Sequence, residues 1–387
     1  MADLATVNRM IEMPLSTPTR VPFLDLAAQH REVEAAIQSD FSEIIQSSAF
    51  VNGPHVATFE AAFAEYCGTE HCIGVSNGLD ALRLALVTLG LEAGDEVLVP
   101  AMTFVATWEA VTQAGGVPVP VEVSPVDYAL DLEAVEAALS ERTRAVVPVH
   151  LYGQMADMEG LLALSERTSV ALVEDAAQAH GARRAGRRAG ATGVASAFSF
   201  YPGKNLGAMG DAGALVTNDP VLASRVRALR EHGQSRKYHH DEIGWTARLD
   251  TLQAAILSRK LPLLDRWNDE RRQVAELYLD ALDGVGDLVL PVVADASAPV
   301  LHLFVVRTAD PAGLGEHLES NQISTGRHYP EPPHLSRAYA GLGYAQGSFP
   351  VSEAIGRECL SLPIFPGMAE SQVLHVVDSV RAWFAGG

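Results

Sequence analysis

From Cys72 to Thr217, short and mostly apolar runs take turns with longer stretches whose apolar residues recur at helical spacing. The predicted strands are Cys72–Val75, Glu96–Val99, Val117–Val121, Ala145–Val149, Val170–Glu174, Ala195–Phe200 and Ala214–Thr217. The predicted helices between them are Asp80–Leu89, Thr107–Ala114, Leu132–Ala138, Met158–Glu166 and Val221–His232. A strand that is apolar throughout is covered on both faces, and intervening helices are what cover it. The pattern therefore predicts an α/β domain around a mostly parallel seven-stranded sheet.

The flanks differ. Residues 1–20, with Pro14 and Pro18, read as an N-terminal arm, and Val21–Leu26 as extended chain. Residues 29–47 carry Val33, Ile37, Phe41 and Ile45 at four-residue spacing, which predicts an amphipathic helix, and a second helix follows over 57–67. Leu249–Leu264 is apolar at helical spacing and bridges to a different pattern: a helix (Glu270–Leu282), a strand (Val300–Val306), a proline-rich loop (Tyr329–Pro333) and a last helix (Gln372–Phe384). The expected division is an arm (1–20), a large α/β domain (21–260) and a smaller C-terminal α+β domain (261–387).

Charge and cysteines narrow the function classes. The chain of 387 residues carries a net charge of −20, which argues against nucleic acid or an anionic membrane as partner. Local basic groups would still serve a small anionic substrate. Three cysteines make no disulfide framework, and Cys67 and Cys72 lack the further ligands a zinc site needs. No metal is expected. No signal peptide is apparent, and no apolar run approaches the roughly 18 residues of a membrane span. The expected location is the cytoplasm.

Ligands of open α/β sheets bind beyond the carboxyl ends of strands. Past the first strand, Ser76-Asn77-Gly78-Leu79-Asp80 opens a helix, as an anion-binding turn or as a plain helix cap. No lysine stands at P-loop spacing and no strand precedes a G-x-G-x-x-G, so ATP and dinucleotides recede. Past the second strand, Phe104 either stacks on a planar ring or belongs to the core, and the same holds for Trp108 lining a pocket. Past the fifth, Asp175 ends a long apolar run, where a carboxylate needs a cationic partner unless it caps a helix. Gln178 either completes a capping box or donates to a ring oxygen, and His180 reads as structural. After the next strand, Lys204 lies in a glycine-flanked turn, suited to an imine with an aldehyde cofactor. An anion cradle, a ring face, a carboxylate and an amine in this order are what pyridoxal phosphate requires.

These residues resemble the DegT/DnrJ-type sugar aminotransferases, pyridoxal-phosphate enzymes of fold type I. The likeness runs through Val21–Leu26, Cys67-Gly68-Thr69, Ser76–Leu84, Pro100–Thr107, His150–Gly153, Glu174–Gly181, Ser199–Gly213, Gly244–Ala255 and His328–Leu335. The resemblance implies that Lys204 carries pyridoxal 5'-phosphate as an internal aldimine. It implies that Asp175 pairs with the pyridine nitrogen, that Gln178 contacts the ring hydroxyl and that Phe104 stacks on the ring. The backbone of Gly78 and Leu79 and the hydroxyl of Ser199 would hold the phosphate; many relatives have threonine where Leu79 stands. Gly244–Asp250 matches a segment that reaches into the neighbouring subunit's site, with Thr246 where relatives carry asparagine.

The family works as a homodimer with shared sites. It aminates nucleotide-linked keto sugars, commonly thymidine-diphosphate sugars, usually with L-glutamate as donor. A dehydratase branch replaces the lysine with histidine, so Lys204 favours transamination. Arg236, Lys237 and Arg327 are candidates for the substrate diphosphate, or else solvated surface charges, and His328 and Tyr329 are candidates for sugar contacts. Tyr201–Ala208 looks like the branch acting on 3-keto sugars, with 4-keto sugars the alternative. Two other classes remain as rivals: a cofactor-binding regulatory protein without turnover, and a nicotinamide-dependent oxidoreductase, which would need the absent glycine fingerprint.

Overall fold

A computed structural model describes residues 20–386; the arm expected over 1–20 lies, apart from Arg20, outside the described residues. The sheet comprises β1 (His71–Val75), β2 (Glu96–Pro100), β3 (Val117–Val121), β4 (Thr143–Val146), β5 (Ala171–Asp175), β8 (Ala195–Ser199) and β9 (Gly213–Thr217), between which β6 (Arg183–Arg184) and β7 (Arg187–Arg188) form a separate hairpin. Its spatial order is β1-β9-β8-β5-β4-β2-β3. Five strands run parallel from β8 to β3, and β9 runs antiparallel to both neighbours.

Side-chain alternation divides the core. On β2, Val97 and Val99 join one apolar cluster with Trp108 and Leu84, while Leu98 joins the other with Phe63 and Phe200. Phe63 packs edge-on against both Phe198 and Phe200, at ring separations of 5.0 and 5.2 Å. These two layers bury both faces of the sheet and leave its strand ends as the open rim.

The predicted strands all exist. The fourth is shorter than expected: regular pairing stops at Val146, two residues before Pro148, which has no N–H to donate. The bridging segment Leu249–Leu264 is not one helix. Thr251–Lys260 ends in a 3-10 turn at Leu261–Leu263, where Pro262 breaks the hydrogen-bond ladder, and Leu264–Leu282 continues. A third apolar cluster joins Tyr278, Phe304, Leu314, Leu362 and Val376, and Val21 belongs to it, pairing with Ile323.

Here the structure adds elements that the pattern did not announce. Two helices, Pro311–Ser320 and Pro350–Glu358, start on proline, and the strand Cys359–Leu362 pairs antiparallel with Phe304–Arg307. The strand expected over Val300–Val306 is regular only from Phe304. No helix among the described residues is long and apolar enough to cross a membrane, and none of their His, Cys, Asp and Glu side chains cluster as a metal site.

Candidate active site

A cavity of about 500 Å³ opens at the carboxyl ends of β5 and β8, between the sheet and the C-terminal part of the chain. Gly78, Phe104, Asp175, Gln178, Ser199 and Lys204 all line it, as do His328 and Tyr329. A larger open groove of about 820 Å³ beside the β6–β7 hairpin contains none of them.

The turn after β1 is both a cap and a cradle. The Asn77 side chain accepts from the Asp80 amide at 2.8 Å and so caps the helix Gly78–Thr88. The amides of Gly78 and Leu79 keep no acceptor among the described residues and remain available to an anion. The close approach of Ser199 demands glycine at position 78, where a Cβ would lie 2.7 Å from the Ser199 Cβ.

Asp175 is buried, at 6 % exposure. Its Oδ2 accepts from Thr107 Oγ1 at 2.8 Å and its Oδ1 from the Ala177 amide at 3.2 Å. Burial raises its pKa, against the opposing pull of these hydrogen bonds and of the Lys204 charge. A protonated ring nitrogen is the partner such a carboxylate lacks.

The amine of Lys204 is held at about 8 rather than its ordinary value near 10.5, because burial disfavours the ammonium more than Asp175 favours it. Its loop is fixed from two sides. The buried Lys260 Nζ donates to the Gly207 carbonyl at 2.6 Å, and Asn205 Nδ2 donates to the Val300 carbonyl at 2.9 Å.

Gln178 Oε1 accepts from the Tyr152 amide at 2.6 Å, which orients the side chain. Its Nε2 donates one hydrogen to Tyr329 Oη at 3.0 Å and keeps a second for a ligand oxygen. Phe104 is 51 % exposed, so its face is open to the cavity, 5.3 Å from the Tyr329 ring. His328 stacks on Phe23 and shares a hydrogen bond with Ser361 Oγ at 2.8 Å; burial, then the Lys204 charge, press its pKa down to about 4.

Other expected residues stand elsewhere. Thr246 is exposed and meets His232 Nε2 at 2.9 Å, while Arg236 and Lys237 are exposed around the hairpin Gln234–Arg236/His239–His240. None of the three lines the cavity within one chain. Arg327 spends its guanidinium on the carbonyls of Gly356, Arg357 and Cys359, closing the end of the helix Pro350–Glu358, and also lies outside the cavity lining. Trp108 is fully buried, with its Nε1 on the Pro100 carbonyl. His180 is fully buried between Phe198 and Phe200.

Three positions in or beside the cavity carried no mark in the sequence analysis. Thr107 was legible in principle, being one turn after Thr103, whose hydroxyl it meets at 2.9 Å. Asn205 and His302 had no local signal, since their meaning depends on a contact across 97 residues.

Pyridoxal phosphate fits what is present: free amides for its phosphate at a cradle that a Cβ would fill, an unneutralised carboxylate, a spare amide N–H, an open aromatic face and a facing amine. Fold and cavity together define a pyridoxal-phosphate-dependent aminotransferase of fold type I. The chain belongs to the DegT/DnrJ/EryC1/StrS aminotransferase family, whose model matches residues 31–381. It is 50 % identical over 364 residues to dTDP-3-amino-3,4,6-trideoxy-alpha-D-glucose transaminase of Streptomyces venezuelae, covering 94 % of this chain and 96 % of that one. It is 49 % identical to the erythromycin biosynthesis sensory transduction protein EryC1 of Saccharopolyspora erythraea, covering 94 % and 99 %. Its fold superposes on the crystal structure of S. venezuelae DesV in complex with a ketimine intermediate with a TM-score of 0.92 at 50 % identity, over 95 % of this chain and 99 % of that one.

Proposed function

We propose that this protein transfers the amino group of L-glutamate to C3 of a nucleotide-linked keto-deoxysugar, with thymidine diphosphate as the nucleotide, in aminodeoxysugar biosynthesis. The carrying observation is the pairing, in one cavity, of an amine whose pKa burial brings down to about 8 with a buried carboxylate that has no cation in direct contact. C3 rather than C4 is favoured by the 50 % identity to a transaminase named for its 3-amino product.

Pyridoxal phosphate, when bound, supplies an aldehyde and an electron-withdrawing ring. Lys204 Nζ is the proposed covalent attachment point and, once released, the base and acid that moves the proton of the substrate carbon. Asp175 would keep the ring nitrogen protonated, and Thr107 holds Asp175 in place. Gln178 Nε2 would donate to the ring oxygen, Phe104 would cover the ring and exclude water, and Gly78, Leu79 and Ser199 would hold the phosphate.

The proposed assembly is a homodimer with shared sites. Thr246, Arg236 and Lys237 stand exposed outside their own cavity, and Phe50, Val51 and Ile243 are exposed apolar side chains that a second chain would cover. Thr246 would then reach the partner's phosphate, and Arg236 and Lys237 its sugar nucleotide, beside His328 and Tyr329. The free, buried Cys67, Cys72 and Cys359 suit a reducing compartment, the cytoplasm.

Incubation with 3-keto and 4-keto nucleotide sugars plus glutamate, with the amine position read by NMR, tests this. A product aminated only at C4 overturns the C3 assignment. A regulatory reading is favoured by the name of the Saccharopolyspora relative. It requires that the visible absorbance of the loaded protein stay unchanged when glutamate is added.

A further inference from the structure

Beside Lys204 runs a chain of hydrogen bonds whose direction is fixed at every link. Asn268 Nδ2 donates to the backbone carbonyl of His180 at 2.8 Å. A carbonyl only accepts, so Asn268 turns its Oδ1 towards Asn205. Asn205 Nδ2 donates to that oxygen and to the Val300 carbonyl, both at 2.9 Å. The remaining Asn205 atom, Oδ1, faces His302 Nδ1 at 3.1 Å. An amide oxygen also only accepts, so the proton of His302 sits on Nδ1. Burial, then the Lys204 charge, keep this ring well below the usual histidine pKa, and it is neutral.

His302 Nε2 is therefore a bare lone pair. It has no hydrogen-bond partner among the described residues, Lys204 included, and His302 lines the same cavity as Lys204. His328, the other imidazole there, has no fixed tautomer, because the Ser361 hydroxyl both gives and takes. The fixed direction of the chain distinguishes His302.

We propose that His302 is a positioning residue for Lys204: the two are not bonded in the cofactor-free fold, but when cofactor and substrate fill the cavity and the amine is released into it, His302 Nε2 accepts one N–H and so turns the amine's own lone pair towards the reacting carbon. Asn205, next to Lys204 in sequence, sets the tautomer that makes this possible. The inference rests on the reading of Lys204 as the proton-moving amine and adds to it what orients that amine. A free primary amine rotates about Cε–Nζ, and a misdirected lone pair wastes the proximity that the cavity provides.

Two measurements test it on the full chain. With histidine labelled by 15N, long-range proton–nitrogen correlation spectra, with and without cofactor, report the tautomer, and the signal missing in His302→Gln identifies the residue. A neutral Nδ1–H ring at neutral pH is expected; an Nε2–H ring or an imidazolium overturns the proposal. The second measurement compares two variants. His302→Asn keeps an amide where Nδ1 bonds Asn205, whereas His302→Gln places an amide oxygen where Nε2 stands. His302→Asn should lose kcat about tenfold or more with the glutamate KM little changed, and His302→Gln should recover most of that loss. Equal losses, or the reverse order, leave only a structural role and overturn the proposal. Lys204→Ala run in parallel separates the two levels. If it keeps near wild-type turnover, the reading of Lys204 itself fails, whatever the tautomer shows.

Discussion

Gly78→Ala is the most economical probe of the phosphate cradle. The new Cβ would stand 2.7 Å from the Ser199 Cβ and 3.1 Å from its Cα, whereas ordinary contact begins at 3.4 Å. Neither obstacle is a flexible chain end. Ser199 ends β8, and Gly78 starts a helix whose Ala81, Leu84 and Ala85 are fully buried. The turn must move by about 0.7 Å, and the free amides of Gly78 and Leu79 move with it. Hydrogen bonds to a charged group contribute about 1.5–3 kcal/mol each, so spoiling the geometry of one predicts a cofactor Kd raised by roughly 10- to 150-fold. The assay is titration of the cofactor-free variant with pyridoxal phosphate, followed by absorbance, with pyridoxal as the control. Pyridoxal has no phosphate, so its weaker binding should change little. Pyridoxal phosphate affinity within twofold of wild type, or an equal loss for both compounds, would refute the cradle assignment.

Four further outcomes follow from the same geometry. Removing the Thr107 hydroxyl with Thr107→Val frees Asp175 Oδ2; kcat should fall about 5- to 10-fold, for a hydrogen bond near 1 kcal/mol, and unchanged turnover denies Thr107 its role. In the cofactor-free protein, labelling of Lys204 by an amine reagent, read peptide by peptide by mass spectrometry, should have its midpoint near pH 8. Asp175→Asn should move that midpoint lower, because the carboxylate favours the ammonium; an upward shift contradicts the pairing. Glu174, whose burial would raise its pKa but whose bonds from His150, Gly190 and Gly193 bring it down to about 2, has a depressed folded pKa. Its roughly 3 kcal/mol is present above pH 4.5 and lost as pH falls through 2; Glu174→Gln should flatten this acid limb of the stability curve, measured as Tm against pH, and an unaltered limb rejects the assignment.

The sheet was readable because its strands are apolar along most of their length, with polar residues mainly at their ends, and the ligand end because of where strands stop. Cofactor residues were readable because each lies within a few positions of such a stop, so local sequence carries the three-dimensional relation. The same logic fails after Trp267. The helix Pro350–Glu358 and the strand Cys359–Leu362 are held by contacts with Glu122 and with Phe304–Arg307, far away in sequence. Arg327 shows the other limit. A charged residue beside His328 and Tyr329 has the address of a substrate ligand, yet three backbone carbonyls at a helix end claim it first. Charge type and neighbourhood do not reveal which acceptor is nearer.

Glu174 and Asp175 are adjacent carboxylates on one strand. Alternation turns them to opposite faces. Glu174 meets five donors: His150 Nε2, the amides of Gly190, Thr192 and Gly193, and Ser196 Oγ. His150 must carry its hydrogen on Nε2, because its Nδ1 accepts from the Ala156 amide. Glu174 is thus saturated and charged without any ligand. Asp175 meets two donors, with no cation in contact, and its charge is the costlier one in the cofactor-free fold. Sequence shows two acids at a strand end; the count of donors decides which of them waits for a cationic ring. Asp175→Asn should therefore leave the cofactor-free Tm no lower than wild type while abolishing tight cofactor binding, and a large loss of Tm without cofactor would show that Asp175, like its neighbour, already belongs to the scaffold.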